Sequence, residues 1–331
     1  MARVYIGIPT WNRPDLVKDA INSAVAQTLT DLRVVVSDNA SSGVVTEEIE
    51  AFVHSLGDPR VSFVKQPINC GEGGQAAYFL SECCEDYIII LHDDDRLEPE
   101  LVAAAVDRLD NEPTVDFFSS SQYLFDEQGA VLDKETRAFN ARLQRDELVD
   151  GPVDNILDLV LFRMMFALSG TVFRTSTLRE CGLEDDFGGY PFDLSVMLRQ
   201  AENSKRVWWD SRRLVGYRWH DNQGHRENCW DFNERIISGL MKLMEARRFT
   251  GRTERLRRWK LAFSYQRYAY IKFVEGRAGD GYRYLFKAIR VDPLRFHLWA
   301  YVGIALFIPF LIPRIWGKRV TRVEAKSEST V

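Results

Sequence analysis

Residues 86–100 read DYIIILHDDDRLEPE. Tyr87–Leu91 is a short apolar run rich in isoleucine, which predicts a buried strand. His92, Asp93, Asp94 and Asp95 follow it directly. Adjacent carboxylates at a strand end repel one another unless positive charge sits among them. The acids are either a solvated cap before the helix expected near Glu100, or ligands for a hard divalent cation that leaves coordination places open for phosphate.

The neighbouring sequence favours the second reading. Val4–Ile8, Arg33–Ser37 and Val61–Val64 read as further strands, separated by helices expected at Asp15–Gln27, Thr46–Leu56 and Ala76–Cys84, with another at Glu100–Leu109. Strands alternating with helices predict a mostly parallel sheet covered on both faces. Ligands of such sheets lie beyond the carboxyl ends of the strands. Polar residues gather there: Thr10, Asn12 and Arg13, then Asp38 and Asn39, then Asn69 and Gly71, then the three aspartates. Further on, Asp116–Ser120 and TVFR (171–174) read as strands, EQGAV (127–131) as a hairpin, and VWWD and VGYRWH as strand-like pieces around 207–220.

The net charge of -5 conceals an uneven distribution. Residues 1–241 carry 23 Lys+Arg against 41 Asp+Glu, whereas residues 242–319 carry 18 against 5. An acidic body and a basic rear imply different partners. From about Asp231 the chain reads as helices with Arg/Lys-rich faces, without a nucleic-acid-binding motif, so no nucleic-acid partner is expected. LWAYVGIALFIPFLI (298–312) is uncharged but shorter than the ~20 residues of a spanning helix, and it contains Pro309. Its basic flanks favour a helix lying in an anionic leaflet over a buried core helix. The five cysteines, Cys70, Cys83, Cys84, Cys181 and Cys229, form no CxxC pair. That suggests neither a cysteine zinc site nor a disulfide framework and fits a reduced, cytosolic setting. Cys83 and Cys84 read as buried small hydrophobes. VYIGIP reads as a first strand, not as the apolar core of a leader.

IPTWNRPDLVKDAINSAVAQT, VVVSDNASSG, NCGEGGQ, IIILHDDDRLEPE and GYRWH, in that order, resemble the inverting glycosyltransferases of family 2, over about residues 3–222. The resemblance implies the GT-A fold: a Rossmann-like, mostly parallel sheet with helices on both faces, here followed by a C-terminal helical region. It implies transfer of a sugar from a UDP-, dTDP- or GDP-linked donor to an acceptor hydroxyl, with Mn²⁺ or Mg²⁺. Pro9, Thr10, Asn12 and Arg13 match the family's first-strand motif beside the nucleotide. Asp38 matches the acid that receives base or ribose, an acceptor-only group suited to imide or hydroxyl donors; its plain alternative is a turn aspartate. Asn69, Gly71, Gly74 and Gln75 match a glycine loop open to close backbone approach, while Ala77 stands where many relatives have Asn. Asp93 falls to the donor ribose, and Asp94, with Asp95 in support, to the metal. His92 occupies the place of the first acid of the commoner D-x-D-D form and reads as structural. His220 in YRWH is a further candidate for the metal, and Arg218 for the phosphates.

Inversion needs a base on the acceptor side. The resemblance gives that role to Asp193, ahead of the helix expected at 194–202, where a simple N-cap is the alternative. Glu184, Asp185 and Asp186 compete for it, and His225 and Arg226 are weaker site candidates. The expected organisation is a transferase domain over 1–225, a basic helical region over 226–296, an apolar segment over 297–316 and a tail over 317–331. A lipid-linked or cell-surface glycan acceptor, at the inner face of the cell membrane, completes the expectation. The competing readings are a nucleotidyltransferase, a DxD phosphatase and a degenerate, membrane-bound glycosyltransferase-like module. A nucleotidyltransferase would carry a glycine- and lysine-rich first loop, which IPTWNRP lacks. The phosphatase would need a nucleophilic aspartate ending the first strand, where Ile8-Pro9-Thr10 offers none. His92 and Ala77 favour the degenerate module; Asp38, Asp94 and Asp193 oppose it.

Overall fold

The structure, a computed structural model, describes residues 3–163, 166–183, 191–219, 234–294 and 299. The chain divides into two compact units, residues 1–220 and 221–331.

The first unit opens with β1 (Val4–Thr10), α1 (Pro14–Val25), β2 (Leu32–Asp38), α2 (Gly43–Ser55), β3 (Val61–Lys65), α3 (Gly71–Glu82) and β4 (Tyr87–Ile90). It continues through β5 (Arg96–Leu97), α4 (Leu101–Asn111), β6 (Phe117–Phe125), α5 (Asp133–Arg142), β7 (Gly151–Val153), β8 (Thr171–Arg174), α6 (Thr175–Cys181), α7 (Phe192–Glu202) and β9 (Val207–Arg218). One sheet joins them in the order β3-β2-β1-β4-β8-β6-β9-β5, with β7 on β9. β3, β2, β1 and β4 run parallel, β8 runs antiparallel to both of its neighbours, and β6 and β9 are again parallel to each other.

Alternation along β1 sorts its side chains to the two faces. Val4, Ile6 and Ile8 join the core with Val17, Ala20, Ile21 and Ala24 of α1 and Leu101, Val102 and Ala105 of α4. Tyr5 points to the other face and meets Phe79 of α3, ring centroids 6.0 Å apart. Gly7 lies beside it on that face because the Phe79 ring fills the space: a Cβ there would come within 2.5 Å of it.

The structure departs from the expected elements in instructive places. α3 begins at Gly71, not near Ala76, so the glycine loop forms the helix's first turn; Gly71 makes the entry with φ +71°. β6 runs on past Ser120 to Phe125, and VWWD and VGYR (215–218) belong to one strand, β9. Ser121 and Gln122 carry no hydrophobic signal, and the pairing of β6 with β9 absorbs the irregularity as register shifts around Ser121. The expected hairpin forms, with Phe125 bridging Val131. Cys83 is buried, but Cys84 is exposed just past the end of α3.

The second unit contains α8 (Glu234–Glu245), α9 (Gly251–Val274) and α10 (Ala278–Val291). Buried cations are tied down within it. Lys272 Nζ reaches Glu234 at 2.5 Å and Glu275 at 2.9 Å, and Arg257 pairs with Glu254 and donates to the Met244 carbonyl at 2.6 Å. No helix among the described residues is long and apolar enough to cross a membrane. Apart from Trp299, the 298–312 segment lies outside the described residues.

Candidate active site

Register brings the expected residues to one edge. Thr10, the last residue of β1, pairs with Asp38, the last of β2. On the other side of β1, β4 pairs as far as Ile90, opposite Gly7, and delivers His92–Asp95 to the same edge. The Thr10 hydroxyl donates to Asp93 Oδ2 at 2.9 Å, and Arg13 Nη1 lies 3.1 Å from Asp93 Oδ1 and 3.4 Å from Asp94 Oδ2.

The loops after β1 and β2 are stitched together. Asn12 N–H donates to Ser41 Oγ at 2.8 Å and Ser42 N–H to Asn12 Oδ1 at 3.0 Å. Asn12 and Ala40 both hold positive φ, at 54° and 61°. Left-handed backbone at non-glycine residues is uncommon and persists where surrounding contacts enforce it. The next rim is centred on Asn39, whose Nδ2 donates to Asn69 Oδ1 at 3.1 Å and whose Oδ1 accepts from Cys70 N–H at 2.9 Å and Gln75 Nε2 at 3.0 Å. Asn69 and Gln75 therefore serve to anchor the start of α3. A Cβ on Gly74 would lie 2.6 Å from the Cys70 side chain, so packing within this turn explains that glycine.

Asp38 is fully buried and takes the Thr46 hydroxyl at 2.7 Å and the Ser41 N–H at 3.2 Å. These contacts hold a turn. Trp11, between Thr10 and Asn12, is 53% exposed at the same edge.

Sequence gave no signal for Ser169, in a short 3-10 turn at Leu168–Gly170. It is fully buried, donates to Asp95 Oδ2 at 2.6 Å and accepts the His92 N–H at 3.2 Å. The imidazole is thereby set between two acids: Nδ1 is 3.9 Å from Asp95 Oδ2 and Nε2 is 3.7 Å from Asp193 Oδ1. Asp193 lies inside the first turn of α7, which begins at Phe192. It is not the N-cap; its carboxylate accepts the Leu168 N–H and is about a third exposed, at 35%.

Arg218, expected near phosphate, instead holds the acid loop from behind. It is 3% exposed; its Nε donates to the Asp94 carbonyl at 3.1 Å, its Nη2 to Asp19 at 2.5 Å, and its backbone N–H to Asp95 Oδ1 at 3.3 Å. β9 ends behind the loop, and its last side chain is spent there. Trp209 is buried edge-on against Phe166, whereas Trp208 is half-buried with Arg108 over its ring. Glu184, Asp185, Asp186, His220, His225 and Arg226 lie outside the described residues.

The crowding perturbs the titrating groups. Burial, reinforced by Asp94, pushes Asp93 up to about 6 against the pull of Arg13 and Thr10. Burial and Asp94 likewise push Asp95 up to about 7, against His92 and the bonds from Ser169 and Arg218. Burial disfavours charge on His92, but Asp193, Asp95, Asp94 and Glu72 outweigh it and hold the imidazole up to about 9. Burial also raises Asp193, with His92 opposing. Among the described residues, Arg13 pairs with Asp93 and Asp94, and His92 lies between Asp95 and Asp193. One ligand atom each from His92, Asp94 and Asp95 lie within 4.8 Å of one another. This mixed oxygen and nitrogen donor set fits a divalent cation.

An open α/β sheet with its polar loops and acid loop gathered at the carboxyl edge puts the candidate site where sheets of this class bind their ligands. Comparison narrows the class. Residues 5–165 match the model of glycosyl transferase family 2, and the chain belongs to that family. An uncharacterized glycosyltransferase of Rickettsia conorii is 33% identical over 235 residues, covering 68% of this chain and 36% of the relative. The chain spans about a third of the length of the first curated relatives it matches. Among solved structures, S. aureus TarS 1–349 in complex with UDP-GlcNAc matches with TM-score 0.61 at 14% identity, covering 99% of this chain and 92% of that one. Mannosyltransferase PcManGT from Pyrobaculum calidifontis, in complex with GDP-Man and Mn²⁺, matches with TM-score 0.57 at 15% identity, covering 98% and 86%. At these identities the two structures establish the GT-A fold alone.

Proposed function

We propose that this chain is a divalent-metal-dependent, inverting glycosyltransferase that moves a sugar from a nucleoside-diphosphate donor to an acceptor hydroxyl. The observation that carries this reading is the placement of Asp95 and Asp193 on the two sides of the His92 imidazole, with Arg13 pairing the adjacent Asp93 and Asp94.

Asp94 and Asp95 would hold the cation, and the chemistry it would supply there is neutralisation of a departing diphosphate. Arg13, about half exposed beside Asp93 and Asp94, adds a second positive charge for the same phosphates. The loops tied by Asn12, Ser41 and Asn39 form the nucleotide rim, with Asp38 fixing it from beneath. Asp193 is exposed enough to meet an acceptor, and its carboxylate takes the acceptor proton as the oxygen attacks the anomeric carbon from the face opposite the leaving group. His92 Nε2 faces that carboxylate at 3.7 Å. The donor pairings seen in the two fold neighbours, UDP-GlcNAc and GDP-Man with Mn²⁺, support the donor class without selecting a base.

The acceptor we infer is a glycan or lipid-linked glycan at an anionic membrane surface on the cytoplasmic side. Exposed Arg252, Arg255, Arg258 and Trp259 on α9, with Arg283, Phe286 and Arg290 on α10, support that partner. Co-sedimentation with anionic but not neutral vesicles tests it. The donor is tested by a thermal-shift screen of nucleoside diphosphates with and without Mn²⁺, because a ligand of the native state raises Tm by mass action. A Tm rise confined to one base and dependent on metal is expected; no rise with any nucleotide contradicts the reading.

A further inference from the structure

We propose that His92 is itself a metal ligand, through Nδ1, and that this nitrogen donor shifts the cation site from Mg²⁺ toward Mn²⁺, Co²⁺ and Zn²⁺. The inference rests on the transferase reading only in placing a cation at this loop.

Geometry assigns the two ring nitrogens to different tasks. Nδ1 faces the Asp95 carboxylate, with Asp94 in the same cluster, and Nε2 faces Asp193. A histidine that binds metal through one nitrogen characteristically gives its other N–H to a carboxylate, which fixes the tautomer and raises ligand basicity. Asp193 stands in that place. Ser169 fixes the arrangement from below: one hydroxyl accepts the His92 backbone N–H and donates to Asp95. The ring and the carboxylate thus share a support and do not depend on solvent-exposed contacts for their placing. Tyr87–Ile90 of β4, buried throughout, holds the base of the loop.

Donor chemistry then decides the preference. An all-carboxylate loop suits Mg²⁺, which takes oxygen ligands and dehydrates reluctantly. Imidazole suits later and softer divalent ions, and affinity at a mixed N/O site rises from Mn²⁺ toward Co²⁺ and Zn²⁺. A second consequence follows from the wiring. Asp193 would be separated from the proposed cation by the His92 ring.

The test uses the full chain with Mn²⁺ alone, read by pulsed electron paramagnetic resonance, beside His92→Asp, His92→Asn, His220→Ala and His225→Ala. The expected result is nitrogen hyperfine coupling of a directly bound imidazole, present in wild type and the latter two variants and lost in both His92 variants. Displacement of Mn²⁺ by Co²⁺ relative to Mg²⁺ should weaken at least about tenfold in His92→Asp. Bound Mn²⁺ without nitrogen coupling in the wild type overturns the inference, as does failure to bind Mn²⁺. Coupling that survives in the His92 variants, or an unchanged metal ranking, overturns it too. Should the His92 variants not fold, coupling retained in His220→Ala and His225→Ala still assigns the nitrogen to His92, and its loss in either one overturns the inference. If the coupling is present but no nucleoside diphosphate binds, the transferase reading fails and this inference stands.

Discussion

Thr10 Oγ1 donates to Asp93 Oδ2 over 2.9 Å, tying the end of β1 to the acid loop beyond β4. Both groups are buried. Thr10→Val keeps the shape and removes the donor, leaving the carboxylate short of a partner, at a cost of about 1–3 kcal/mol. Urea denaturation should show that loss, and Thr10→Ser should recover most of it. Equal stability of Thr10→Val and wild type would show that the tie contributes nothing.

Arg218 grips the Asp94 carbonyl and Asp19 from behind the loop. Arg218→Lys keeps the charge but loses the planar fork, so it should fold yet bind Mn²⁺ more weakly. Arg218→Gln should be worse in both respects, with stability lower by about 2–4 kcal/mol. Manganese titration and denaturation curves read the two effects separately, and unchanged metal affinity in both variants would remove Arg218 from the site's support.

Asp110 of α4 receives both terminal nitrogens of Arg3 at 2.8 Å and the Tyr87 hydroxyl at 2.7 Å. Those bonds, Arg3 first, hold its carboxyl down at about 2. A depressed folded-state value stabilises above the unfolded value of about 3.9 and loses that contribution as pH falls toward 2. The full shift would be worth about 2.5 kcal/mol, but the pair is about 40% exposed, and screening leaves about 1 kcal/mol. Asp110→Asn should therefore lower Tm at pH 7, with the gap to wild type closing below about pH 4. A gap that stays constant with pH would refute the assignment.

Gly7→Ala should destabilise by about 1–3 kcal/mol, because the added Cβ meets the Phe79 ring at 2.5 Å and overpacks the β1–α3 contact. Shrinking the ring tests the cause directly. Phe79→Leu should cost less in the Gly7→Ala background than alone, and strict additivity of the two changes would mean that they do not meet.

The first four strands were legible because each is a short apolar run closed by polar residues, and parallel register then carries Thr10, Asp38 and the acid loop to one edge. What stayed hidden depends on contacts distant in sequence. β6 was cut short at Ser120 because Ser121 and Gln122 carry no hydrophobic signal, although both are buried. Ser169 is invisible for the same reason: only folding sets it beneath both His92 and Asp95. Asp193 was singled out by motif, but α7 begins at Phe192, two residues earlier than a capping role for Asp193 demands. Arg218 shows the opposite hazard. Its residue type suited phosphate, while its position at the end of β9 committed it to the protein's own loop.

The account depends on Asp193 being the group that takes the acceptor proton. The most direct measurement compares wild type with Asp193→Asn in a transfer assay over a panel of nucleotide-sugars with Mn²⁺, with nucleoside diphosphate affinity measured on the same samples. Turnover should fall by about 10²–10⁴-fold while nucleotide affinity is retained. Near-normal turnover in Asp193→Asn would contradict the account.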